Sequence, residues 1–172
     1  MRPEHGDYPE YYDRYMMMVK GEDIVEVIKD QLQTSGKFFD SITEEQGTIA
    51  YADGKWKVKE VIGHVIDTER IMAYRALAIA RGEKQSLPGF EQDDYVATAG
   101  FTNRKLSDLI EEYRTLRASN IVLFSSFDEK DMMKKGYANQ SEISVLSLAF
   151  IIAGHELHHI KILKERYLRG LG

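Results

Sequence analysis

Residues 143–167 read ISVLSLAFIIAGHELHHIKILKERY, and this stretch decides the fold. Its first half is apolar all round, a pattern typical of a helix that neighbouring elements bury on several sides. A helix of this kind needs other helices to cover it. We therefore predict a helix over about 142–169 that lies at the centre of the molecule.

Two further stretches place apolar residues close to a 3.6-residue spacing, which indicates long amphipathic helices. Over about 56–81 these residues are Val58, Val61, Ile62, Val65, Met72, Ala73, Ala76 and Ile79. Over about 105–127 they are Leu106, Leu109, Ile110, Tyr113, Leu116, Ile121, Phe124 and Phe127. Each pattern predicts a helix that turns one face to the core.

The N-terminal part of the chain carries weaker signals. Ile24, Ile28, Leu32 and Phe39 form a stripe over about 22–39 that Gly36 interrupts. A glycine lowers helix propensity by up to about 1 kcal/mol relative to alanine, and we still predict a helix there. Ahead of it, Pro9 suits the first turn of a short helix that runs to about residue 18.

The connections between these helices carry the residues that break regular structure. Turn and loop signals occur at Gly47, at Asp53–Gly54, over 87–90 and over 136–141. No stretch alternates with a period of two for long enough to predict a strand. We therefore predict an all-α fold, an up-and-down four-helix bundle with a short extra N-terminal helix.

Composition limits the class of protein. The chain has 172 residues, 43% of them hydrophobic, which predicts one domain spanning 1–172. A net charge of -5 disfavours a nucleic-acid partner, and the absence of cysteine excludes disulfides and a thiol nucleophile in the chain. Neither a secretory signal nor a membrane span is evident, so we expect no membrane partner and a cytoplasmic location.

Two histidines stand four residues apart in the predicted central helix. His155 and His159 therefore project from one face, about 5–6 Å apart at Cβ, which lets both imidazoles reach a single ion at about 2.0–2.1 Å. Apolar residues share this stripe, and a core accepts unsatisfied ring nitrogens only at a cost of about 1–3 kcal/mol each. A hydrogen-bonded core pair is the competing interpretation, and a metal would satisfy both rings.

His64 is the third candidate ligand, because it borders the apolar stripe of the helix over 56–81. Taken alone, His64 is better explained as a core histidine whose ring nitrogens are hydrogen-bonded. The pair of His155 and His159 on another helix makes it a stronger candidate ligand. Three histidines on two helices predict an open site of the catalytic kind, and imidazole suits zinc, nickel, iron and copper. His158 and His5 are expected at the surface or at an interface.

The segment 155–159 also matches H-E-x-x-H, in which Glu156 would be the general base of a zinc protease. Such a protease needs a third ligand, and no histidine follows His159. The pair Glu156 and His159 also resembles half of a di-iron carboxylate site, but Val61 stands where the second glutamate would be required. We therefore disfavour both interpretations.

Several residues near the predicted ligands have two interpretations. Glu60 and Asp67 stand four residues before and three after His64, where a carboxylate can fix the imidazole tautomer. In the second interpretation both carboxylates are solvated at the surface and do not fix the tautomer of His64. Trp56 either lines a pocket or anchors the core. The polar loop over 88–95 is long enough to cover a pocket at one end of the bundle.

Four groups of residues together resemble a known family. They are 54–64 (GKWKVKEVIGH), 67–70 (DTER), 88–90 (PGF) and 153–159 (AGHELHH). This pattern is similar to that of the DinB-like (YfiT-like) metal-dependent enzymes, over nearly the whole chain. The resemblance implies a four-helix bundle, often dimeric, that binds a divalent metal, commonly nickel or zinc, through His64, His155 and His159.

The same resemblance implies chemistry. Members with an assigned activity include S-transferases and isomerases that use a low-molecular-weight thiol such as bacillithiol or mycothiol. We therefore expect a homodimeric, metal-dependent transferase that joins an external thiol to a small electrophile. A metal-dependent hydrolase and a non-catalytic, metal-stabilised bundle remain the alternatives.

Overall fold

The structure is a computed structural model that describes residues 1–168. Its α-helices are α1 (Asp13–Met16), α2 (Ile24–Asp40), α3 (Val58–Ala80), α4 (Gln92–Ala99), α5 (Leu106–Ser125), α6 (Glu129–Met133) and α7 (Val145–Ile162). Two short strands, β1 (Lys135–Ala138) and β2 (Ser141–Ser144), form an antiparallel hairpin. Short 3₁₀ turns cover Glu10–Tyr12, Gln46–Thr48 and Phe101–Asn103, and a π-helical turn, Leu163–Tyr167, follows α7.

The four long helices α2, α3, α5 and α7 form the predicted bundle. α3 and α2 each pack against both α5 and α7, so α2 and α3 occupy opposite corners although they follow each other along the chain. α1 packs against α7 and closes one side. The apolar first half of α7 is buried, as the sequence predicts for the central helix.

The direction of α5 differs from the alternating order that the sequence analysis predicts for an up-and-down bundle. One apolar cluster joins the start of α2 and of α7 to the ends of α3 and α5, and a second cluster joins the opposite ends. α3 and α5 therefore run the same way, where strict up-and-down order would alternate. The connection over 81–105 must therefore return along the whole length of the bundle. It includes α4, and Gly100 caps the end of that helix with a φ of 65°.

A layer of buried polar side chains separates the two apolar clusters. Arg117 on α5 forms ion pairs with Glu69 on α3 at 2.8 Å and with Glu156 on α7 at 2.6 Å. From α2, Gln31 accepts a hydrogen bond from Arg117 and Ser35 donates one to Glu156. Arg117 and both carboxylates are at most 2% exposed, and one network thus ties all four long helices together.

The hairpin over 135–144 corrects the prediction that the chain forms no strand, because the sequence indicated only a loop over 136–141. Asn139 and Gln140 form its turn with φ of 50° and 63°, the positive values of a two-residue hairpin turn. Strands of four residues are too short to show a period of two, and this turn contains no glycine. The last helix consequently begins at Val145, after Ser144 caps it by accepting a bond from the Ser147 amide, and the expected start near residue 142 was wrong.

The segment Val145–Tyr167 has the length and apolar character of a membrane-spanning helix, by composition alone. Within the fold, 67% of its most apolar 18-residue window is buried. Such burial is expected of the core helix of a bundle. The predicted end near residue 169 lies just outside the described residues.

The buried network generates the first prediction. Replacing Arg117 by Met leaves Glu69 and Glu156 buried without their counter-charge, and we expect the free energy of unfolding to fall by about 3–5 kcal/mol. Urea titration followed by circular dichroism measures this change.

The matched control is Arg114→Met, one turn earlier on α5, where the arginine is exposed and pairs with Asp40. An exposed ion pair contributes about 0–1 kcal/mol, so this variant should stay close to wild type. Equal losses in the two variants would contradict the role assigned to the network.

Candidate metal site

The structure brings His64, His155 and His159 together between α3 and α7. The Nε2 atom of His155 lies 3.0 Å from Nε2 of His64 and 3.1 Å from Nε2 of His159. One ligand atom from each residue lies within 4.8 Å of the others, a grouping able to hold a metal ion. The helical spacing aligned two of the rings, and packing of α3 against α7 added the third.

Hydrogen bonds alone do not account for this convergence. The Nε2 atom of His155 faces two other Nε2 atoms, yet a neutral imidazole nitrogen offers either one proton or one lone pair. Four ligands at about 2.0–2.1 Å in a tetrahedron place neighbouring nitrogens about 3.3 Å apart, close to the spacing seen here. The donor set therefore fits a single divalent transition-metal ion.

All three imidazoles are held in the neutral form. Burial lowers the pKa of His64 to about 4, and burial together with the charge of His64 lowers the pKa of His159 to about 2. Burial also lowers the pKa of His155 well below its usual value, with the neighbouring histidines adding to the effect. Because only neutral imidazole binds a metal, the cluster is ready for one at neutral pH.

Aromatic rings hold the imidazoles in place. The ring of Trp56 lies 4.8 Å from that of His64, and the ring of Tyr15 meets His155 edge-on at 5.4 Å. The backbone of Tyr15 comes this close because residue 154 is glycine: a Cβ there would lie 2.2 Å from the Tyr15 carbonyl oxygen. The N-terminal segment is thus part of the site, and Trp56 takes the pocket role that the sequence left open.

Two cavities flank the three histidines. One, of about 300 Å³, is lined by His64 and His155 together with α1, α3 and the segment 89–93. The other, of about 470 Å³, is lined by His159 and Trp56. Asp93 lines both. The loop expected over 88–95 does border the first cavity, although its second half belongs to α4.

The remaining polar candidates near the site act elsewhere. Glu60 accepts a hydrogen bond from the Lys57 amide and caps α3. Asp67 faces Arg70 at 4.0 Å, and neither carboxylate has a described hydrogen bond to His64. His158 is half-buried, and its ring meets the ring of Tyr15 edge-on. His5 is exposed.

Glu156 does not serve the three histidines as a general base. Adjacent residues on a helix point about 100° apart, so Glu156 turns away from His155 into the buried network with Arg117. Burial, opposed by the charge of Arg117, raises its pKa. Within the H-E-x-x-H segment, Glu156 therefore belongs to the ion network and the two histidines belong to the candidate metal site.

Sequence reasoning missed two polar residues in the wall of the first cavity. Thr68 and Arg75 lie on α3 and line it together with His64. Their positions, four and eleven residues after His64, place them on the same helical face. This spacing was the available signal, but it shows only once His64 is known to face a cavity.

Known proteins resemble this chain in sequence and in fold. The model of the DinB superfamily matches residues 28–163. A protein of Oceanobacillus iheyensis, named as a candidate metal-dependent hydrolase, is 26% identical over 149 residues, which are 83% of this chain and 84% of that protein.

Two solved structures share the fold. YfiT from Bacillus subtilis, described as a probable metal-dependent hydrolase with an unusual four-helix bundle topology, has a TM-score of 0.72 at 16% identity, covering 93% of this chain and 87% of YfiT. A mycothiol-dependent maleylpyruvate isomerase has a TM-score of 0.68 at 10% identity, covering 83% of this chain. This chain spans 60% of the isomerase.

The lowered histidine pKa values predict how stability depends on pH. In the unfolded chain a histidine takes up a proton near pH 6.5, whereas His64 and His159 in the folded chain resist it until about pH 4 and about 2. The unfolded state therefore binds more protons as the pH falls, and the metal-free protein loses stability below about pH 6.5.

We expect the melting temperature of chelator-treated wild type to fall more steeply between about pH 6.5 and 4.5 than that of His159→Gln. Differential scanning fluorimetry at matched ionic strength measures both slopes. His5→Gln, at an exposed position, is the control and should keep the wild-type slope. A His159→Gln slope equal to that of wild type would contradict the buried, neutral cluster.

Proposed function

The chain belongs to the DinB superfamily, and from this we propose that it is a metal-dependent enzyme whose His64, His155 and His159 hold one divalent ion. The observation that carries the proposal is the convergence of three neutral imidazole nitrogens beside a cavity. Three protein ligands leave a coordination position open, the arrangement of a catalytic site. Imidazole ligands suit zinc and nickel, the two metals we favour.

We further propose that the reaction transfers a low-molecular-weight thiol to a small electrophile. The chain has no cysteine, so a sulfur nucleophile must come from outside. The mycothiol-dependent isomerase with the same fold supports a thiol as co-substrate. No described carboxylate contacts the three imidazoles as a general base, and a thiol of lowered pKa needs none.

The bound ion would supply Lewis-acid activation, which lowers the pKa of a thiol that reaches it. The thiol sulfur forms a bond to an electrophilic carbon, the leaving group departs with the electron pair of its bond, and the thiol proton passes to solvent. His64, His155 and His159 would hold the ion beside the cavity, where the reaction takes place. Trp56 and Tyr15 keep the rings of His64 and His155 in position. The cavity beside them accommodates a small molecule.

Hydrolysis is the second candidate, because the Oceanobacillus relative and YfiT both carry names of metal-dependent hydrolases. A hydrolase of this architecture would need a base other than Glu156. Asp93 is the carboxylate that lines both cavities, so it would take that role. The third candidate, a bundle that uses the ion only for stability, has no need of a cavity beside the open position.

The cellular setting belongs to the same proposal. We place the protein in the cytoplasm as a homodimer that acts on a small molecule, with no nucleic-acid or membrane partner. A net charge of -5 is consistent with the absence of a polyanionic partner.

Elemental analysis by mass spectrometry of protein purified without a chelator or a histidine tag tests the metal. We expect about one transition-metal ion per chain in wild type and a value near zero in His155→Ala, because two ligands hold an ion far more weakly than three. His158→Ala, which removes a neighbouring histidine outside the cluster, should keep the wild-type metal content.

The loaded protein is then assayed with bacillithiol, mycothiol, cysteine or coenzyme A and the electrophile monobromobimane. Metal-dependent acceleration of thiol consumption supports the transferase. Metal-dependent cleavage of a nitrophenyl ester that Asp93→Asn removes, with no response to any thiol, would favour the hydrolase. A wild type that takes up neither zinc nor nickel would contradict both.

A further inference from the structure

Arg75 is a buried arginine whose described contacts include no counter-charge. Its side chain lies on α3 and is 4% exposed. One terminal nitrogen donates a hydrogen bond to the Pro88 carbonyl oxygen at 2.6 Å, and the other lies 3.6 Å from the sulfur of Met72. Among the described residues, no carboxylate forms an ion pair with it.

A second arginine that is deeply buried shows what such a charge normally requires. Arg117 is 0% exposed and pairs with Glu69 and Glu156. Taking a guanidinium group out of water is costly unless an anion compensates it. In place of an anion, Arg75 has a carbonyl oxygen, a sulfur atom and the ring of Phe90, whose centroid lies 5.8 Å from the guanidinium carbon. The guanidinium group therefore remains available to an anionic ligand.

Arg75 lines the same cavity as the histidine cluster. Four residues of α3, spaced by four, four and three, form one wall of this cavity of about 300 Å³: His64, Thr68, Met72 and Arg75. Because side chains with these spacings share a helical face, the wall runs from the histidines at one end to the guanidinium group at the other.

Thr68 adds an independent sign that this wall binds a ligand. Its side chain is 3% exposed, and its Oγ1 is a buried polar atom with no hydrogen-bond partner among the described residues. Buried hydroxyls are nearly always bonded, so an unbonded one in a cavity wall marks a place for a ligand atom. Thr68 stands between His64 and Arg75 along the wall.

The guanidinium end of the cavity is built from firmly held backbone. Leu87 and the hairpin exchange two hydrogen bonds, from the Leu87 amide to the Tyr137 carbonyl and from the Asn139 amide to the Leu87 carbonyl, both 2.9 Å long. This pairing fixes the neighbouring Pro88 carbonyl that holds Arg75. The guanidinium group is thus oriented before any ligand arrives.

We infer that Arg75 binds a carboxylate of the small-molecule substrate, with Thr68 bonded to a polar group in the middle and the reacting end at the histidines. This inference rests on the proposed function and names its substrate class. A planar guanidinium with free N–H groups suits a carboxylate, which it can bind through two bonds. The helix rises about 12 Å over the eight steps from His64 to Met72, whose sulfur lies 3.6 Å from the guanidinium group.

The probes are the N-mercaptoacetyl derivatives of glycine, β-alanine and 4-aminobutyrate, each with its carboxamide counterpart. Every probe has a thiol for the ion, an amide in the middle and a terminus that is either charged or neutral. We expect calorimetry on the zinc-loaded protein to show at least about tenfold tighter binding of one carboxylate than of its carboxamide. The N-acetyl counterparts of the same probes lack the thiol. If they keep the preference for carboxylate over carboxamide, the recognised carboxylate belongs to the electrophile; if they lose it, the carboxylate belongs to the thiol.

Three variants locate the effect. Arg75→Met should abolish the preference for the carboxylate, and Arg75→Lys should keep part of it. Arg70→Met is the matched control: it removes the same charge from the same helix, but Arg70 is outside this cavity and pairs with Glu112. It should keep the wild-type preference.

Thr68→Val should weaken binding of the same probe severalfold without lowering the melting temperature, because the hydroxyl has no partner to lose. A purely structural role would give the opposite pattern.

Zinc binding is titrated separately for every variant. Zinc uptake by wild type with equal affinity for carboxylate and carboxamide would overturn this inference and leave the metal site standing. If wild type takes up no zinc, the titrations are repeated with nickel. Uptake of neither metal means that the proposed function fails, and the same probes on the metal-free protein then decide the role of Arg75. A preference that survives in Arg75→Met also overturns the inference.

Discussion

The ion network of Arg117, Glu69 and Glu156 is the constraint on which the arrangement of this bundle depends. A guanidinium group at 0% exposure must meet its carboxylates, so it fixes the rotation of α3 and α7 about their axes. His155 precedes Glu156 by one residue, and His64 precedes Glu69 by five. Holding the two glutamates inward therefore turns both histidine faces toward each other on the other side of the helices.

Two sets of buried polar groups have opposite properties. In the ion network between the four long helices, each charge has partners: Arg117 meets two carboxylates and Glu156 also accepts a bond from Ser35. In the cavity wall, Thr68 has no hydrogen-bond partner and Arg75 has no counter-charge among the residues that the structure describes. The satisfied network gives the fold a single arrangement, while the unsatisfied groups are available to a ligand.

The long connections decide what the site can accept. Because α3 and α5 run in the same direction, the chain must return over 81–105, and this crossover brings Gly89, Phe90 and Asp93 to the cavity. The hairpin then fastens the crossover at Leu87. The three histidines alone are compatible with thiol transfer and with hydrolysis, so selectivity lies in these surrounding segments.

The sequence by itself determined what depends on local spacing. It predicted the four long helices and the pairing of His155 with His159, because a helical repeat places residues four apart on one face. It indicated His64 only through its position on an apolar stripe and the family resemblance. It left Glu156 as a candidate general base. One step along a helix changes the direction of a side chain by about 100°, and the sequence does not show whether Glu156 still reaches the site of His155.

The tertiary structure decided everything that depends on contacts between distant segments. These are the direction of α5, the hairpin without a glycine turn, the ion network that claims Glu156, and the cavity that Thr68 and Arg75 line. Periodicity reports which face of a helix is apolar, but not which helix covers it or which polar group lacks a partner. A buried charge is recognisable as unpaired only when every neighbour is known, and that knowledge comes from packing.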